Sequence, residues 1–170
     1  SVRETAAALA MSEANVKVIH HRARQALAPY EATRAQTRPS AEVASSTAAA
    51  LQRFLAALAA GDESALASVF ATSVETWSDG GGEFLAARRV VGGARLVAKL
   101  FLGLMKKSSP ADRFTFRTLN GVPAIVAERT EHRAGEAPRF VLACDVDAAG
   151  QITRLYSMLA TRKLSGVGAV

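Results

Sequence analysis

"STAAALQRFLAALAAGDESALASVFATSVETWSDGGG", residues 46–82, changes its apolar period part-way along. Leu51, Phe54, Leu55 and Leu58 recur at the three-to-four spacing of a helix, and Gly61 stands where a left-handed C-cap belongs. "DESALASVF" reads as a second, shorter helix turning Leu66, Val69 and Phe70 inward. "SVETWSD" then alternates as a strand does and stops at Gly80, Gly81 and Gly82. Helix, helix and strand in direct succession predict mixed α+β architecture.

Downstream residues extend this pattern. "GARLVAKLFLGLMKK" reads as an amphipathic helix with Leu96, Leu100 and Leu104 on one side. Strands are expected over 112–119, 122–130 and 139–147, separated by "NG" and by "EHRAGEAP". "GQITRLYSML" supplies a last strand after the "DAAG" turn. A run of strands behind helices predicts a curved antiparallel sheet wrapped over those helices, with a mobile tail at 165–170.

Upstream, 30–44 is polar, of mixed charge and without apolar period, so it is expected to be a linker. Before it lies "MSEANVKVIHHRAR", residues 11–24, in an otherwise alanine-rich stretch. Ser12 suits an N-cap, Glu13 the positive helix end, and Pro29 predicts that this helix stops at about Ala28. Val16, Ile19, Ala23 and Leu27 form an inward stripe, with Ala6 and Ala10 as the small residues of a helix-turn-helix. Burying that stripe sends Asn15, Lys17, His21, Arg22 and Arg24 outward together. Such an array fits a DNA major groove, where Lys and Arg meet guanine edges or phosphates and Asn pairs with adenine.

Composition sets the outer limits. Nearly half of the 170 residues are apolar, and 21% are charged, as in a globular chain. Residues 1–40 hold six Lys/Arg against three Asp/Glu, and 41–170 hold fifteen against twelve. Net positive charge is therefore about three times denser in the first quarter, pointing to a polyanionic partner there. No continuous apolar run reaches the roughly 18 residues of a membrane span, so no membrane partner is expected. The single cysteine, Cys144, rules out an internal disulfide and suits a reducing cytoplasm. His20 and His21 read as a surface pair, and neither a metal nor another cofactor is expected. Ser1 and the short lead into the first turn suggest the C-terminal part of a longer polypeptide.

"SVRETAAALAMSEANVKVIHHRARQAL" resembles the second half of region 4 in extracytoplasmic-function (ECF) sigma factors, the module that reads the promoter −35 element. Val16, Lys17, Arg22, Ala23 and Arg24 match its Val-Lys/Arg-x-x-x-x-Arg-Ala-Arg pattern. The resemblance implies that Lys17, Val18 and His21 face bases while Asn15, Arg22 and Arg24 mainly hold phosphates; Val18 departs from the small polar residue common there. Residues 45–164 resemble the SnoaL-like branch of the nuclear-transport-factor-2-like fold, a cone-shaped domain with a pocket. One ECF subgroup fuses this domain behind region 4. Trp77, Asp79, Gly80, Gly81 and Gly82 match its Trp-x-Asp-Gly-Gly-Gly-Lys motif, with Glu83 in place of Lys. Lys163 and Leu164 retain the end of its Asn-Pro-Asp-Lys-Leu motif.

These resemblances imply a partial region 4 at 1–29, the linker at 30–44, a SnoaL-like domain at 45–164 and the tail. They imply promoter DNA, core RNA polymerase and intramolecular sigma core regions as partners, with Trp77, Asp79, Gly80–Gly82, Lys163 and Leu164 as regulatory contacts in cis. They also allow a small apolar ligand in the pocket and a homodimer through the cone. The competing reading is a SnoaL-like isomerase, cyclase or hydrolase, or a ligand sensor. An enzyme needs a carboxylate base in an apolar pocket, and Glu75, Asp79, Asp145, His132 and Tyr156 are the candidates. No nucleophile–base pair stands out among them, so the sequence reading is of no enzyme.

Overall fold

Two helices build the first of two compact units, 1–38 and 39–170. The computed structural model describes residues 1–34 and 39–168. In the first unit, α1 (Val2–Ala8) leads through a turn into α2 (Glu13–Arg34). Ser12 caps α2 as expected, its Oγ accepting the Asn15 N–H at 3.2 Å. Pro29 does not end the helix. It can give no N–H to the Gln25 carbonyl, but the alanines around it are strong helix formers and α2 continues one turn further. Residues 30–34 thus belong to α2 and 41–44 to the next helix, so the expected linker shrinks to 35–40, of which 35–38 lie outside the described residues.

The turn between α1 and α2 uses alanine where the geometry asks for glycine. Met11 N–H donates to the Ala6 carbonyl at 2.9 Å and Ala10 N–H to the Ala7 carbonyl at 3.3 Å, the paired bonds of a Schellman end. Ala10 pays in strain, at φ 51°. Ala10→Gly is expected to stabilise this turn by about 1 kcal/mol, slowing native-state hydrogen exchange at the Met11 amide about fivefold. An unchanged exchange rate would show that the left-handed alanine carries no strain.

Burial in this unit is smaller than the apolar stripe predicts. Ala6 is buried and Val16 half-buried, but Ile19 and Leu27 are 46% and 53% exposed, and Ala23 is exposed too. Two helices offer each other a single contact, and enclosing a full stripe takes further packed structure.

The second unit opens with α3 (Ala41–Ala60), capped by Ser40 and closed by Gly61 at φ 68°. α3 is long and apolar enough to cross a membrane by length and composition only, though Glu42, Gln52 and Arg53 interrupt its apolar run. Here its Thr47, Ala50, Leu51, Phe54 and Ala57 enter the core of the unit. α4 (Glu63–Val69) follows, and the chain turns without a loop into β1 (Phe70–Asp79). A two-residue strand, β2 (Val91–Gly92), precedes α5 (Ala94–Lys107). Then come β3 (Arg113–Leu119), β4 (Val122–Glu128), β5 (Arg139–Val146), β6 (Ile152–Met158) and a 3-10 helix, Thr161–Leu164. The β3–β4 hairpin has a two-residue loop with both φ values positive, Asn120 at 53° and Gly121 at 86°, as an Asn-Gly turn predicts.

The six strands form one sheet in the order β2-β1-β6-β5-β4-β3. All pairs are antiparallel except β1–β6, which run parallel. The architecture is α+β, a curved sheet over helices. Alternation along the strands divides the apolar residues between the faces. Ile125, Leu142, Ile152 and Leu155 join Leu51, Phe54, Leu66, Val74, Val97 and Phe101 under the helices. Ala124, Val126 and Val141 face the other way. That second patch is covered by the chain's own end: Leu164 is buried there and Val167 packs beside it. The Arg139 guanidinium also donates to the Gly168 carbonyl. The tail is therefore anchored through 168; Ala169 and Val170 lie outside the described residues.

Candidate functional site

The cationic side chains of α2 follow from its period. With Val16, Ile19, Ala23 and Leu27 on one side, Asn15, Lys17, Val18, His21, Arg22 and Arg24 fall on the other half of the helix, and all six are exposed. No described acidic side chain is recorded against Lys17, Arg22 or Arg24. The apolar side borders a recess of about 500 Å³ between α1 and α2, lined by Val2, Leu9, Met11, Val16 and Ile19 among others.

In the second unit, tertiary structure brings two separate sequence motifs together. β1 ends at Asp79, whose Oδ2 takes an ion pair from the Lys163 ammonium and whose Oδ1 accepts the Gly81 N–H at 2.8 Å. The Asp79 carbonyl also accepts Leu159 N–H at 2.8 Å and Ala160 N–H at 3.2 Å. Hydrogen bonding from Lys163, and then from the Gly81 amide, holds the Asp79 carboxyl below its ordinary pKa. Leu164, next to the paired lysine, is 5% exposed. Trp77 stands half-exposed beside Tyr156 in the sheet register.

Steric and backbone demands account for the glycines one by one. A Cβ on Gly80 would run into the Phe84 carbonyl oxygen, where the loop turns back through Glu83 and Phe84 N–H bonds to the Gly80 carbonyl. Gly81, at φ 60°, would press a Cβ within 2.7 Å of the Ala160 Cβ. Gly82 sits at φ 76° in open space. The loop beyond them, with Gly135, borders a recess of about 680 Å³. Gly80 and Gly81 are therefore needed for the fold of the turn, so alanine there tests folding before it tests a contact.

Of the candidate acid–base residues, the structure brings Asp145 and Tyr156 together. Asp145 accepts the Tyr156 hydroxyl at 2.9 Å and lies 3.8 Å from Arg154. Glu75 is half-buried on β1, and His132 is exposed in the turn before β5. The space between helices and sheet is packed with Phe54, Phe70 and Phe101, Phe54 meeting Phe101 edge-on at 5.3 Å between centroids. Among the described residues, no group of three or more His, Cys, Asp or Glu is placed to hold a metal.

The sequence reading missed a polar cluster around that turn. Arg129 donates to the Ser109 and Ala137 carbonyls at 2.8 and 2.7 Å and lies over the Phe140 ring. Glu136 accepts the Arg133 and Ser109 amides at 3.0 and 3.1 Å, which lowers its pKa from 4.5 to about 2. A carboxylate depressed on folding stabilises fully above its unfolded pKa, and that contribution fades as pH falls from about 4.5 toward 2. Glu136→Gln should lower the melting temperature at neutral pH and flatten its decline across that acid window. An unchanged decline would assign the acid sensitivity elsewhere.

Comparison with solved structures gives a likeness that runs through both units. The extracytoplasmic function sigma factor SigJ of Mycobacterium tuberculosis is similar at 25% identity, with a TM-score of 0.60, over 97% of this chain. The chain spans 55% of SigJ. An LEH-like epoxide hydrolase of M. tuberculosis is 17% identical, TM-score 0.44, over 70% of this chain and 86% of that one. A steroid delta-isomerase of Pseudomonas aeruginosa is 21% identical, TM-score 0.46, over 66% and 78%. The fold of the second unit is the SnoaL-like, nuclear-transport-factor-2-like one. The expectation of no enzyme is corrected: solved chains of this fold are described as enzymes, so the fold gives no ground for setting catalysis aside. No protein-family model matches the chain, and no curated protein matches it.

Proposed function

We propose that this chain is the promoter-reading and regulatory part of an alternative RNA polymerase sigma factor of the ECF type. The observation that supports it is the likeness to SigJ, which extends over 97% of this chain and so takes in both units. On this reading Lys17, Val18 and His21 of α2 meet base edges in the −35 element, and Asn15, Arg22 and Arg24 hold phosphates. Promoter DNA and core RNA polymerase are the partners, and the cytoplasm is the compartment.

The second unit then acts in cis on the sigma core. Trp77, Asp79, Gly81 and Gly82 make this contact together with Lys163, which the Asp79 pair ties to the glycine loop; buried Gly80 and Leu164 support the surface from inside and are not part of it. Loss of that pair removes the side-chain tie, while the Asp79 carbonyl keeps its bonds to the Leu159 and Ala160 amides and the buried core stays untouched.

Lys163→Glu in the intact sigma factor is therefore expected to change −35-dependent transcription. The double exchange Asp79→Lys with Lys163→Asp should return it toward wild type. The melting temperature of the second unit should barely move, since the pair is solvent-exposed and screened. Unchanged transcription from a folded Lys163→Glu protein would refute regulation through this surface.

A further inference from the structure

α5 carries two apolar rows, and the core uses only one. Val97, Ala98, Phe101 and Leu102 are buried against the sheet and the other helices. Leu96, Leu100 and Leu104, expected from the sequence to lie on one side of the helix, form the other row at i, i+4 and i+8. Leu96 is 62% exposed, Leu104 is 47% exposed and Leu100 is half-buried. Beside this row the helical period aligns Arg95, Lys99 and Lys106 in a second line, all exposed, while exposed Lys107 ends the leucine row itself. α5 contains no acidic residue. Lys99 reaches Glu63 only at 4.0 Å, an exposed pair of little strength.

We infer that this outer face of α5 is a docking surface for an acidic amphipathic helix of a partner protein. A helix whose own apolar row lies along Leu96, Leu100 and Leu104 would set a flanking line of Asp and Glu against Arg95, Lys99 and Lys106. Charge argues against a second copy, because two α5 faces would bring like cations together. A lipid surface fits poorly: membrane-lying helices bury a broad apolar face, and the broad face of α5 is already in the core. Nucleic acid would leave the leucine row unsatisfied. This surface uses neither the α2 cations nor the Asp79–Lys163 contact, so the inference stands or falls independently of them.

A fluorescent helical peptide of about 18 residues, roughly five turns, with leucine at i and i+4 and glutamate on the adjoining row, provides the probe. Anisotropy titration with the full chain should show saturable, salt-sensitive binding. Leu96→Glu with Leu104→Glu, both at exposed positions, should weaken it about tenfold or more without lowering the melting temperature, and Lys99→Glu with Lys106→Glu should do the same. Four results would overturn the proposal. These are no binding, equal binding of a peptide with lysine in place of glutamate, binding to phosphatidylglycerol vesicles but not to the peptide, and self-association of the wild-type chain that Leu96→Glu abolishes.

Discussion

Arg22→Glu combined with Arg24→Glu is expected to lower affinity for −35 promoter DNA about a hundredfold near 0.1 M salt. Each phosphate contact releases condensed counterions, so its loss removes roughly 0.9 from the slope of log K against log salt; two lost contacts should flatten the slope by about 2. Placing glutamates against the phosphates adds repulsion to the missing attraction. Both arginines are exposed, so the helix should persist and circular dichroism should confirm it. Lys17→Ala should act differently, reducing discrimination among −35 sequences more than affinity for all of them. Wild-type affinity and slope in the double variant would remove α2 from any DNA contact.

Phe54→Ala should have the largest effect on stability. Phe54 is fully buried, packs edge-on against Phe101 and at a tilt against Phe70, and joins α3 to the sheet side of the core. Removing a ring from such a site loses its transfer free energy and leaves a cavity that rigid neighbours close only in part, costing about 3–5 kcal/mol. That is a large share of the whole stability of a domain this size. A urea titration should show a lower midpoint with an unchanged slope. A loss below about 1 kcal/mol would mean that α3 and α5 close around the gap. The fold would then be more plastic than close packing implies.

These two variants act on features of different legibility. Arg22 and Arg24 are exposed, but so are Ile19, Ala23 and Leu27 of the stripe, so the 3.6-residue period of α2 gives the side on which the arginines lie and not their exposure. Inward-turned Phe54 was legible from spacing, through its place beside Leu51, Leu55 and Leu58. The path of α2 through Pro29 was not. A proline weakens a helix locally, but whether it ends one depends on the flanking alanines and on surrounding structure. The Arg129–Glu136 cluster was equally hidden, because the hydrogen-bond partners of both side chains are mostly backbone groups that leave no side-chain motif. α5 misled for a different reason: Leu96–Leu100–Leu104 and Val97–Phe101 both have a helical period, and periodicity cannot rank two apolar rows on one helix.

By itself the sequence determined what local forces settle: the order of the long helices and of every strand but β2, the Ser12 and Gly61 caps, and the Asn120–Gly121 hairpin. Tertiary structure alone decided which row of α5 meets the core, the parallel pairing of β1 with β6, the burial of Leu164 over the outer sheet face, and the joining of Asp79 to Lys163 across 84 positions of chain. The physical reason is range. Capping, turn and periodicity energies act within a few residues, whereas these outcomes depend on which distant surfaces fit together once water has been expelled between them.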